Sequence, residues 1–66
     1  MRHVYFWALP IGEKFVHKGE VYQKIEDEYV LDQRGKRWVF EPHYGCVISE
    51  EQFIELGLTN KAIRPL

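Results

Sequence analysis

The chain has 66 residues, with nine basic and ten acidic side chains, a formal net charge of −1, and 45% apolar and 15% aromatic residues. A domain of this length has one small core, since it buries only about 60% of the surface that its unfolded chain exposes. This argues against an enzyme built around a deep substrate cavity, and the balanced charge argues against a surface dedicated to nucleic-acid phosphates.

The apolar pattern predicts short strands separated by turns. Residues 4–9 form a nearly continuous apolar and aromatic run, typical of a strand covered on both faces. Pro10 and Gly12 mark the turn that follows, and Gly19 supplies the positive φ that a tight hairpin needs. Five further strands are predicted at residues 13–17, 21–26, 29–31, 37–41 and 46–48.

A different pattern begins at Ser49. Ser49 and Gln52 have the spacing of a capping box, and apolar residues follow at helical intervals up to Gly57. The sequence therefore predicts a short helix over residues 50–56. We expect one domain over residues 1–58 and a loosely ordered tail over residues 59–66.

Five to six short strands, frequent turns and one short C-terminal helix predict a mainly β fold. At this length the best match is a small SH3-like barrel or a strongly bent antiparallel sheet. Phe15, Ile25 and Trp38 are expected in the core, because a chain this short needs its large apolar side chains inside. Lys24 is expected to be a solvated strand residue.

The first predicted hairpin carries a set of spaced residues: Leu9, Gly12, Phe15, Gly19, Tyr22, Lys24 and Ile25. This set resembles the opening of many small bacteriophage-encoded proteins, which continue as compact β-domains. The aromatic start at residues 4–7 departs from their usual pattern. The resemblance implies a phage-type accessory or inhibitor protein that binds a host protein in the host cytoplasm.

The leading functional hypothesis is a non-enzymatic protein-binding module, because aromatic side chains dominate the energetics of interfaces. Its apolar anchors are predicted to be Tyr5, Trp7, Tyr22 and Tyr44. The acidic run of Glu26, Asp27 and Glu28 is expected either to steer a basic partner or to be a solvated loop.

The first predicted strand leaves one question open. Alternation places His3, Tyr5 and Trp7 on one face and apolar residues on the other, and one small core does not easily cover both faces. The first face is therefore either an exposed partner site or homodimer seam, or part of a strand at the centre of the sheet.

The alternative hypothesis is a small nucleic-acid-binding β-barrel, in which aromatic rings stack on bases within a positive groove. Its nucleic-acid-binding residues would be Lys24, Arg34, Lys36 and Arg37, with Tyr22 beside them.

The single cysteine, Cys46, allows no internal disulfide, which fits a reducing compartment. No apolar run approaches the roughly 18–20 residues of a membrane span, and no signal-peptide pattern is present, so a cytoplasmic location without membrane contact is expected. His43 and Cys46 have a zinc half-site spacing, but a structural site needs four ligands and His3 and His17 would have to complete it. We expect no metal, no cofactor and no catalytic residue, with Cys46 acting as a small buried hydrophobe.

Overall fold

A computed structural model describes residues 1–65 of the chain. Two 3-10 turns, Phe6–Ala8 and Asn60–Ala62, accompany one helix, α1 (Glu50–Glu55). The six strands are β1 (Arg2–Tyr5), β2 (Lys14–His17), β3 (Glu20–Glu26), β4 (Tyr29–Asp32), β5 (Arg37–Val39) and β6 (Gly45–Ile48). The prediction of a mainly β fold with five to six short strands and one short helix is confirmed.

All six strands belong to one antiparallel sheet, in the order β1-β6-β2-β3-β4-β5. The sheet is open, with β1 and β5 at its two edges. A flat sheet would hold β1 and β4 about 19 Å apart, at about 4.8 Å per strand. Val4 of β1 and Val30 of β4 instead belong to the same core cluster, together with Phe6, Phe15 and Phe40. The sheet therefore curls around this cluster.

The hairpin between β2 and β3 forms as the sequence predicts. Its two loop residues, Lys18 and Gly19, have φ values of 50° and 80°, and His17 pairs with Glu20. Positive φ at both loop positions is the geometry that matches the twist of two antiparallel strands. The predicted role of Gly19 is confirmed.

Cross-strand pairing shows which face of β3 points inward. Tyr22 lies opposite buried Phe15, and Lys24 lies opposite buried Val30. Lys24 is only 4% exposed, so its prediction as a solvated residue is wrong. Ile25 lies beside a register shift between Lys24 and Glu26 and is only half-buried, not part of the core as predicted. Alternation alone identified the two faces but not which of them is inside.

The first strand is shorter than predicted. It ends at Tyr5, and a 3-10 turn replaces its second half. The backbone N–H groups of Phe6 and Trp7 leave the sheet and donate to the carbonyl oxygens of Tyr44 (2.9 Å) and Pro42 (3.2 Å). The predicted alternation holds as far as Trp7, since Phe6 is fully buried and Trp7 is 51% exposed. It is lost after the turn, because Leu9, which alternation would place on the same face as Trp7, is buried.

The fifth strand also differs from its prediction. It covers Arg37–Val39 rather than residues 37–41, and Trp38 is 44% exposed, so its assignment to the core is wrong. Trp38 does share the inward face, since it lies opposite Val30, but β5 is an edge strand and its ring lies at the rim of the core. Phe40, just beyond the strand, is buried and donates its N–H to Glu28 at 2.8 Å.

The C-terminal region contains the predicted helix. Ser49 and Gln52 form both hydrogen bonds of the capping box, and α1 ends at Glu55 instead of Leu56. Within the predicted tail over residues 59–66, Ala62 is buried, Ile63 bridges to Val4, and the Arg64 N–H donates to the carbonyl oxygen of His3 at 2.8 Å. Residue 66 of that tail lies outside the described residues.

Candidate interaction surface

The position of Trp7 depends on a buried ammonium group. Nζ of Lys24 donates to the carbonyl oxygens of Phe6 (3.2 Å) and Leu9 (2.7 Å), which bracket the 3-10 turn that carries Trp7. The same Nζ lies 4.4 Å from the centre of the Phe6 ring. Burial lowers the pKa of Lys24, and the Asp27 carboxylate opposes this shift. Lys24 thus ties the turn to β3 from the inside.

Trp7 lies in a shallow depression that we call the first-turn patch, lined by Tyr5, Trp7, His43, Arg64 and Pro65. The Tyr5 and Trp7 rings stack with centroids 5.8 Å apart and planes 18° apart. The His43 ring meets Tyr5 edge-on at 6.5 Å. Two of the predicted anchors are therefore adjacent on the surface. Val4 and Phe6 face the core, while Tyr5 and Trp7 face outward. β1 is an edge strand, so the alternative of a strand at the centre of the sheet is wrong. The role of the outward face as a partner site or homodimer seam stays a prediction.

Arg64 supplies the positive charge of the first-turn patch. Its Nε donates to the carbonyl oxygen of His43 at 2.9 Å. Its side chain also passes across the backbone of Gly45, where a Cβ would lie 3.1 Å from Cδ of Arg64. Glycine at this position lets the arginine lie flat, and the hydrogen bond fixes the orientation of its guanidinium.

The other two predicted anchors lie at a second site, the aromatic mouth, formed by His17, Tyr22, Trp38 and Tyr44 above buried Phe40. The His17 and Tyr44 rings stack at 5.2 Å, with planes only 4° apart. Tyr22 and Tyr44 each contact Phe40, at centroid distances of 5.0 Å and 5.1 Å.

Two hydrogen bonds fix the edges of the aromatic mouth. Nδ1 of His17 lies 2.7 Å from the carbonyl oxygen of Gly45, so Nδ1 carries the proton and donates. Nε1 of Trp38 donates to the Asp32 carboxylate at 2.9 Å. The pKa of Tyr22 is raised by burial and by the nearby Glu20 carboxylate, so its hydroxyl stays protonated at neutral pH.

A third depression joins the two sites. It shares Arg64 with the first-turn patch and shares His17 and Tyr44 with the aromatic mouth. His3 also lines it, so all three histidines of the chain lie on this connected surface. The four predicted anchors thus lie in two pairs on one connected surface.

The acidic run divides between two environments. The Glu26 carboxylate forms an exposed ion pair with Arg37 at 3.2 Å. Asp27 and Glu28 line a depression that also includes Trp7, Lys24 and Pro42. Trp7 therefore borders both this depression and the first-turn patch.

The residues of the nucleic-acid alternative are only partly available. Lys24 is buried, and Arg37 is paired with Glu26 and lies over the Tyr29 ring at 4.6 Å. Lys36 lies 4.4 Å from the Trp38 ring. Arg34 is exposed in the hairpin loop, where its backbone N–H donates to Asp32.

Cys46 is fully buried, and burial raises the pKa of its thiol to about 12. The interpretation of this residue as a small buried hydrophobe is confirmed. Within residues 1–65, no three His, Cys, Asp or Glu side chains are grouped closely enough to hold a metal ion. In the same part of the chain, no helix has the length and apolar character needed to cross a membrane.

Sequence reasoning missed Arg64, His17, His43 and Trp38 as members of the surface. Arg64 falls in a segment with no regular pattern, and its position depends on the bridge between Ile63 and Val4. His17 is the last residue of β2, and the only available signal was its position next to a tight turn. Both depend on long-range contacts that no local pattern records.

Comparison of the chain with protein-family models, with curated proteins and with solved structures gives no match. The geometry of the surface therefore carries the functional argument.

Proposed function

We propose that this protein is a non-enzymatic protein-binding module that contacts its partner through the first-turn patch and the aromatic mouth. The observation that carries the proposal is the exposure of Trp7, which is 51% accessible while stacked on Tyr5 and tied down through Lys24. An exposed tryptophan that is already ordered loses little conformational entropy on binding. Such aromatic residues are typical centres of protein interfaces.

The form of the surface supports the same proposal. Its depressions are shallow and adjoin one another, and stacked rings line both ends. The thiol of Cys46 is enclosed and protonated, which leaves it unsuited to nucleophilic attack. A connected, largely aromatic face fits a macromolecular partner better than a small substrate.

The resemblance of residues 9–25 to small bacteriophage-encoded proteins extends this proposal. The partner would be a host protein in the host cytoplasm, which the module inhibits or assists. The curled six-stranded sheet with a C-terminal helix also favours an SH3-like arrangement, which we propose as the finer description of the fold.

Affinity capture from a bacterial lysate tests the proposal. The wild type and Ile54→Ala should recover the same partner, whereas Trp7→Ala should recover it poorly, because Ile54 is exposed on α1 and lines none of the three depressions. Circular dichroism confirms that each variant is folded. Equal recovery by wild type, Trp7→Ala and Tyr44→Ala would contradict the proposal, and light scattering over a concentration series detects self-association.

The runner-up is binding of single-stranded nucleic acid, favoured by the contact of Lys36 with exposed Trp38 and by the free position of Arg34 in the loop. Binding of this kind weakens steeply with salt. A labelled oligonucleotide that fails to bind at low salt eliminates this alternative.

A further inference from the structure

Trp7 borders two depressions that carry different charges. The first is the first-turn patch, which contains Arg64 and His43. The second is lined by Asp27 and Glu28, with Pro42 and Lys24 beside them. The Lys24 ammonium is buried and already donates to two carbonyl oxygens, so the exposed charges of the second depression are the acidic ones.

The fold positions both charged regions. Arg64 is oriented by its hydrogen bond to the carbonyl oxygen of His43 and by its passage across Gly45. Asp27 and Glu28 lie in the tight turn between β3 and β4, whose backbone is held where the carbonyl oxygen of Glu28 accepts the N–H of Phe40 at 2.8 Å. Charges carried by two positioned backbone segments beside an anchor can set the register of a partner.

We propose that the first-turn patch binds a partner segment of matching bipolar charge. In this segment an apolar side chain packs on Trp7, an acidic residue faces Arg64 and a basic residue faces Asp27 and Glu28. The inference rests on the proposed protein-binding function and specifies the kind of partner. The aromatic contact supplies most of the affinity, and the charges supply orientation and discrimination.

The charge pattern distinguishes this partner from two simpler ones. A nucleic-acid strand or a wholly acidic segment would bring negative charge against Asp27 and Glu28. A wholly basic segment would bring positive charge against Arg64. Like charges placed together at an interface oppose binding, so either uniform segment is disfavoured at one end.

Titrations of the full-length, nitrogen-15-labelled protein with three synthetic peptides test the inference by NMR. The peptides are Asp-Asp-Gly-Phe-Gly-Lys-Lys and its all-aspartate and all-lysine counterparts. We expect the bipolar peptide to bind about tenfold more tightly than either counterpart at low salt. The largest shifts should occur at the indole N–H of Trp7 and the Nε–H of Arg64.

Charge-reversal variants make the test specific. Arg64→Glu should shift the preference to the lysine peptide, and Asp27→Lys combined with Glu28→Lys should shift it to the aspartate peptide. Arg64→Lys keeps the positive charge but lacks the Nε donor, so it should retain the wild-type preference. It serves as the second variant at this position if Arg64→Glu folds poorly. Lys14→Glu and Glu51→Lys are matched controls, because both residues are exposed outside the patch.

Three results would overturn the inference: no binding of any peptide, equal binding of all three, or a preference that Arg64→Glu leaves unchanged. Tighter binding of an oligothymidylate at the same resonances would assign the patch to nucleic acid instead. If a lysate partner still requires Trp7 while charge reversal has no effect, the protein-binding function stands and only the bipolar partner is rejected.

Discussion

The two aromatic runs of the chain, residues 4–7 and residues 38–40, have similar compositions but different outcomes. In the first run, neighbouring residues face opposite sides, so Phe6 is buried and Trp7 projects outward. In the second run, Trp38 and Phe40 alternate in phase, yet only Phe40 is buried. Alternation therefore predicts on which face of a strand a side chain lies. Whether that side chain is buried depends on how far the curled sheet covers that face.

The two exposed tryptophans are also secured differently. The turn that carries Trp7 is held from inside by the buried ammonium of Lys24. Trp38 is held from outside by the carboxylate of Asp32, which also accepts the backbone N–H groups of Arg34 and Lys36. A buried charge and an exposed charge thus perform comparable positioning roles, and their removal should have different consequences.

The largest contrast is expected between the two phenylalanines and the two tryptophans. Phe6→Ala and Phe40→Ala should each lower the free energy of unfolding by about 3–5 kcal/mol, since each empties a fully packed site. Trp7→Ala and Trp38→Ala should cost about 1 kcal/mol or less, because their rings are half-exposed. Urea denaturation followed by circular dichroism measures all four. If Trp38→Ala lowered the free energy of unfolding as much as Phe40→Ala, depth of burial would not separate these two residues of the same strand face.

The buried ammonium should have the next largest effect. Lys24→Met keeps most of the side-chain volume but leaves the carbonyl oxygens of Phe6 and Leu9 without their donor, which should cost about 1–3 kcal/mol. Lys14→Met is the matched control, since Lys14 is exposed on the neighbouring strand. Equal stability of the two variants would show that Lys24 does not hold the turn.

The same residue gives a pH dependence of defined sign. Burial lowers the pKa of Lys24 in the folded protein below its ordinary value of 10.5, so the unfolded chain binds this proton more tightly. The contribution of Lys24 to the unfolding free energy should therefore rise as the pH increases from the folded pKa towards 10.5. The difference between wild type and Lys24→Met across this range measures it, and a fall in this difference would contradict the shift.

The thiol of Cys46 measures how well solvent is excluded from the core beside residues 4–7, because Cys46 pairs with Val4. Its pKa rises from 9.0 to about 12 on folding, so only the unfolded chain loses this proton between these values. Relative to Cys46→Ala, the wild type should lose about 1.4 kcal/mol of stability per pH unit in that interval. Rapid modification of the native thiol at pH 8 would show that the core is open.

The smallest effect is expected at Asp32. Hydrogen bonds from Trp38 and from the backbone of Lys36 lower its pKa below 3.8, so its stabilising contribution is complete above that value and is lost as the pH falls through the folded pKa. Asp32→Asn should lower the Tm slightly at pH 7. In strong acid, where the wild-type carboxylate is protonated, the two proteins should have the same Tm. A Tm difference that persists unchanged at low pH would show that the carboxylate charge is not responsible.

Local signals predicted the parts of the fold that local chemistry controls. The Lys18-Gly19 turn and the capping box of Ser49 and Gln52 depend on residues close in sequence, and both form as predicted. Tyr5 and Trp7, which the sequence predicted as anchors, lie at the surface, because a small core leaves part of an aromatic run outside. Their role as anchors stays a prediction. Lys24 and Arg64 were misjudged or missed, since their surroundings come from segments 15 or more residues away.

The sequence by itself determined the number and type of the elements, their main turns and the aromatic residues available for a surface, because these follow from backbone preference and the period of apolar residues. Only the tertiary structure decided which face of β3 is inside, where the first strand ends and which tryptophans reach solvent. It also placed Trp7 beside both Arg64 and the Asp27–Glu28 turn, in two separate depressions. The physical reason is that the curl of the sheet and the pairing of distant strands set burial and the neighbourhood of each charge.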